Sequence, residues 1–125
     1  MNRRERGREL YAAQFGISPD EAERRLVEAF GARFAEEAFA AQGGSAWEDT
    51  PLTRRDRSLV VLTALATLGG AEDRLRTHVG FALQNGATPD ELEALVTLVA
   101  VYAGYPRASV AMEIVRDELA RLGAA

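Results

Sequence analysis

His78 is the only imidazole in 125 residues, and the chain has no cysteine. It stands in the stretch RTHVGFALQNGATPDE, residues 76–91. At roughly 100° per residue around a helix, Ala71, Leu75, Val79 and Ala82 form one apolar arc, and His78 falls at its edge. Arg74, one turn earlier, and Asn85, two turns later, lie on the same side, with Phe81 beside them. Burial and a neighbouring cation both disfavour the imidazolium, so an imidazole in this setting is expected to stay neutral and exchange protons near pH 7. A general acid or base needs that property. The same position also suits a structural histidine satisfied at the rim of a core, and spacing alone leaves both readings open.

Other chemistries are poorly served. Without cysteine there are no disulfides, thiolate metal sites or thiol mechanisms. With a single histidine, a transition-metal site would need carboxylates almost alone, and no such cluster is visible, so no metal ligands are assigned. Ser58 and Ser109 fall in helical stretches without a local base, and Glu36 and Glu37 are expected to face solvent. Gly43-Gly44 reads as a turn, because no Lys-Ser or Lys-Thr follows it as in a phosphate loop. Trp47 either caps the core or walls a pocket.

Charge and hydropathy narrow the partners. Nineteen acidic against fifteen basic side chains give a net charge of −4, and the arginines are scattered among acids, which argues against nucleic acid as a partner. The exception, the arginines between Arg3 and Arg8, reads as a solvated helix end. No apolar stretch approaches the roughly 18 residues of a membrane span. The start, MNRRERGREL, is not followed by the apolar run of a secretory signal. A cytoplasmic protein is expected.

The elements that must position His78 are helices. Ser18-Pro19-Asp20-Glu21 and Thr88-Pro89-Asp90-Glu91 each place a hydroxyl cap before Pro at the first helical position and Glu at the third. Thr53 with Asp56 is a weaker version of the same box. Stops are expected at Gly43-Gly44, Gly69-Gly70, Gly86 and Gly104. The spacing predicts helices up to about Ala13 and over about 19–30, 31–42, 54–68, 71–85, 89–103 and 106–121, in a single domain spanning residues 1–125. The segments RRDRSLVVLTALATL and PDELEALVTLVAVYA are apolar nearly all the way round. Either they form the centre of the bundle, or other subunits cover them. A homo-oligomer is the expectation.

The segments LTRRDRSLVVLTALATLGG and LRTHVGFALQNGATPDELEALVTLVAVYAGYP resemble the carboxymuconolactone decarboxylase family. The similarity lies in Thr-Arg…Arg-Ser-Leu at a helix entry, Leu-x-x-His, Asn-Gly-x-Thr before an acidic helix start, and Tyr-Ala-Gly-x-Pro. It is strongest from Trp47 to Pro106, with ERG near the N-terminus and a Trp ahead of the central helix also similar. The resemblance implies a compact all-α bundle of six to seven helices, alkylhydroperoxidase D-like, assembled as a trimer or hexamer. The thiol-peroxidase branch of that fold uses a Cys-x-x-Cys pair that this chain lacks.

The other branch implies a cofactor-free decarboxylase that converts 4-carboxymuconolactone to 3-oxoadipate enol-lactone and CO2 in protocatechuate catabolism. By this resemblance His78 is the proton donor and Arg57 the carboxylate or oxyanion partner. Arg74 and Asn85, from helix geometry, and Trp47 are the candidate substrate contacts. Two departures stand out. Asp49 occupies a position where the family pattern suggests arginine, and Pro106-Arg107-Ala108-Ser109 replaces an expected Pro-Ala-Ala-Asn, with Arg107 a possible compensation for Asp49. Alternatives are a family member acting on another small acid or lactone, and a non-catalytic oligomeric binding protein.

Overall fold

The helix starts that the capping residues announce are all present. In the computed structural model, which describes residues 1–48 and 50–124, the Thr88 hydroxyl accepts the Glu91 N–H at 3.2 Å, and the Glu91 carboxylate accepts the Thr88 N–H at 2.9 Å. Thr53 and Asp56 make the same reciprocal pair, so the shorter acid still closes the box. Ser18 makes only the first half, accepting from the Glu21 N–H at 3.1 Å. The Glu21 carboxylate is held instead by Arg24 and Arg25 along the same helix face.

Seven helices result, with no strand among the described residues: α1 (Arg3–Phe15), α2 (Pro19–Phe30), α3 (Ala32–Gln42), α4 (Arg54–Leu68), α5 (Glu72–Gln84), α6 (Pro89–Ala103) and α7 (Tyr105–Arg121). The fold is all-α, as expected. The first helix runs past Ala13 to Phe15, because its stop is the left-handed Gly16, a signal absent from the expected stops. Gly31, Ala71 and Asn85 prove to be caps rather than helical residues. The chain divides into two compact units, Met1–Pro51 and Leu52–Ala125.

In the first unit α1 packs on α2 and α3 over Leu26, Ala35 and Phe39, with Tyr11 edge-on to Phe39 at 5.8 Å. Two glycines let the backbones approach. A Cβ on Gly7 would lie 1.8 Å from the Phe39 carbonyl oxygen, and one on Gly43 would lie 1.7 Å from that of Arg3. Gly43 is therefore a packing residue as well as a turn residue. The N-terminal arginines are not the freely solvated end that the sequence suggested. Arg4 pairs with Glu23 and Glu36 and lies over the Phe39 ring, and Arg8 pairs with Asp20. Acids on α2 and α3 reach back to these guanidiniums and fasten α1.

In the second unit α4 with α5 and α6 with α7 form two helical hairpins whose inner faces share one core, including Leu62, Val79, Leu92, Val96, Val115 and Leu119. Gly104 is both the last cap of α6 and the first of α7. Its φ of 107° lets a single residue turn the corner. Arg55 pairs with Glu91, tying the start of α4 to the capping carboxylate of α6. The two segments read as apolar all round are not enclosed: Val60 on α4 is 58% exposed, and Leu98, Val101 and Tyr102 on α6 are 61%, 65% and 85% exposed. No helix among the described residues is long and apolar enough to cross a membrane.

Candidate active site

Leu75, Val79 and Ala82 bury one face of α5, and this places His78 where the face meets solvent. The half-buried imidazole stands edge-on to Phe81, with ring centroids 5.2 Å apart and planes at 84°. Among the described residues it makes no hydrogen bond, and none of their buried side-chain nitrogens or oxygens lacks a partner. The ring nitrogens therefore reach solvent while the body of the ring is covered. Burial, followed by the positive charge of Arg74, holds its pKa below the usual 6.5. The result is a neutral imidazole at pH 7 that can take a proton from water and pass it on.

Asn85 caps the other end of α5, and its side-chain amide donates to the Ser58 hydroxyl at 2.8 Å. Ser58 is only 3% exposed. This bond puts Ser58 and Asn85 at one level of the α4/α5 hairpin. His78 lies seven residues back along α5, about 10 Å away at 1.5 Å per residue. Arg57, next to Ser58 and partly buried, belongs to the Asn85 end, where its Nε also donates to the Thr53 carbonyl at 3.3 Å. Arg74, His78 and Phe81 thus form one group, and Arg57 and Asn85 form a second group two turns away.

Trp47 is in the first unit, in the turn where its N–H donates to the Gly44 carbonyl at 3.3 Å, and it is partly buried. Asp49 lies outside the described residues. Ser109 donates to the Pro106 carbonyl within α7 and serves the helix. The Ser58–Asn85 tie was not foreseen. A signal for it existed, because Ser58 shares the i, i+4, i+8 stripe of Leu62 and Ala66, where a hydroxyl must find a partner.

The profile of the carboxymuconolactone decarboxylase family matches residues 32–117, from α3 through most of α7. The chain belongs to this family. It is similar to a protein of Acinetobacter baylyi named 4-carboxymuconolactone decarboxylase, with 39% identity over 82 residues. The match takes in 66% of this chain and 60% of the relative, so the chain spans less than two thirds of that protein's length. No solved structure matches the chain. Family membership covers α4 and α5 entirely, and with them both groups of candidate residues. The absence of cysteine sets the chain apart from the thiol-dependent branch.

Proposed function

We propose that the chain decarboxylates a small carboxylated lactone of the 4-carboxymuconolactone type without a cofactor, with His78 as the proton-transfer group. The observation that carries this reading is the covered, neutral imidazole with open nitrogens, in a chain 39% identical over 82 residues to a protein named for that reaction. In the reaction the bond to the carboxylate breaks and CO2 leaves. The electron pair delocalises through the conjugated ester to its carbonyl oxygen, and a ring carbon then takes a proton. The neutral imidazole of His78 first takes a proton from solvent, and the imidazolium so formed, made more acidic by its surroundings, passes that proton to the ring carbon and returns to the neutral form. Arg74 and Arg57 offer planar donor forks for carboxylates and for the developing oxyanion.

The reading extends to assembly and setting. The open apolar faces of α4 and α6 are proposed to be covered by other copies, in a trimer or hexamer, with both units of the chain acting as one domain in the cytoplasm. A second reading, a family member acting on a different small acid, draws support from the two-turn distance between Arg57 and His78, which serves a longer molecule equally well.

The test is CO2 release from 4-carboxymuconolactone. His78→Ala is expected to lower kcat by at least about 100-fold, and Arg57→Met to raise KM. Wild-type protein that neither releases CO2 nor binds the lactone would defeat the leading reading. An unchanged kcat in folded His78→Ala would defeat the role given to His78.

A further inference from the structure

A cavity of about 270 Å³ opens in the second unit between the end of α4 and the first turns of α5 and α7, and His78 is not among its lining residues. Leu65, Leu75, Val110 and Ile114 supply its apolar wall, and Glu72 and Arg107 supply its charged groups. We infer that this cavity is a separate binding site for a small monocarboxylate with an apolar body, recognised by Arg107. The inference does not rest on the decarboxylase reading.

Arg107 is exposed, and its Nη1 donates to the Leu68 carbonyl at the end of α4 at 2.9 Å. Among the described residues it makes no other hydrogen bond and no ion pair, so the rest of its planar fork is open. Its position is prepared by Gly69, since a Cβ there would lie 1.4 Å from Nη1, and only a residue without a side chain lets the guanidinium lie across that turn. An arginine anchored through one nitrogen, with its remaining donors open, suits a carboxylate, which takes two parallel N–H bonds. The cavity is also flanked by the start of α7, which has no side-chain cap and no acid in its first turn, so its positive dipole end adds to the attraction, whereas that of α5 is already met by Glu72 and Asp73.

Size and charge narrow the ligand. An apolar protein cavity of ~150 Å³ accommodates benzene, so this one has room for a ring and a carboxylate. Arg107 is the one cation on the rim and Glu72 offsets its charge, so a single carboxylate is held by the hydrogen bonds of the fork while a second negative charge is opposed. The class is therefore a monocarboxylate of aromatic or short branched type, and a dicarboxylate should bind more weakly.

Benzoate is the probe, titrated into the full chain and followed by NMR. Saturable shifts are expected at the Arg107 Nε–H and the Val110 methyls. Arg107→Gln is expected to weaken binding by about tenfold or more, as for loss of a charged hydrogen bond, while His78→Ala changes it less than about twofold. Val110→Phe, at a 47% exposed position, should close the mouth and abolish binding in a protein with unchanged circular dichroism. Equal binding of benzylamine, failure to saturate at tens of millimolar benzoate, or loss of binding in His78→Ala but not in Arg107→Gln would each overturn the inference.

Discussion

The bond between Asn85 and Ser58 joins two helices at the level of Arg57, and its strength can be measured by a double-mutant cycle. Asn85→Ala leaves the hydroxyl of Ser58, 3% exposed, short of a partner. A buried group stripped of its partner costs about 1–3 kcal/mol. Ser58→Ala breaks the same bond, but the amide of Asn85 is only partly buried and turns to water, so the loss should be about 0.5–1.5 kcal/mol. The double variant buries no orphan. Its cost should fall short of the sum of the two by about 1 kcal/mol, within the range for contacting pairs. Urea unfolding of the four proteins, with equal m-values as the control, yields the coupling. Additivity within about 0.3 kcal/mol would refute the claim that this bond stabilises the contact between the two helices.

Further expectations follow from the same structure. Because the folded-state pKa of His78 lies below the unfolded value of 6.5, the folded protein binds fewer protons there, so stability should fall as pH drops from 6.5 toward the lowered value. In His78→Gln that limb of the stability curve should vanish, while the losses below about pH 4.5, where the lowered pKa values of Glu21, Glu36 and Glu118 take effect, remain. Two glycine substitutions should have opposite signs in denaturant melts. Gly7→Ala drives a Cβ into the Phe39 carbonyl and should cost about 3 kcal/mol or more. Gly80→Ala, inside α5 with open space around it, should stabilise by about 0.5–1 kcal/mol. Replacing Val101 with Glu on the open face of α6 should shift a trimer or hexamer toward smaller species in light scattering, and a wild-type monomer would sink the assembly proposal.

The helices were legible because their signals are local. A cap is a hydroxyl, a proline and an acid within four residues, and a corner is one glycine, so the boundaries at Pro19, Arg54 and Pro89 could be read directly. Gly16 and Gly31 were passed over as stops, although both are the same kind of signal. The setting of His78 was legible for a related reason: Arg74 and Phe81 lie on its own helix, where spacing alone fixes the neighbours.

What lay beyond the sequence depends on contacts between helices. Whether the apolar faces of α4 and α6 were centre or surface could not be read from periodicity, which says that a face is apolar but not what covers it; packing leaves Val60, Leu98 and Tyr102 outside. The pairing of Arg4 with Glu23 and Glu36 needed helices brought together across long stretches of chain. The register that parts Arg57 from His78 comes from the packing of α4 on α5, with one hydrogen bond across 27 residues at its end. The cavity beside Arg107 exists only where three helix ends meet. Residues one turn apart on a helix meet by covalent geometry, whereas residues on different helices meet only as the packing of side chains allows, and that is decided by the whole fold at once.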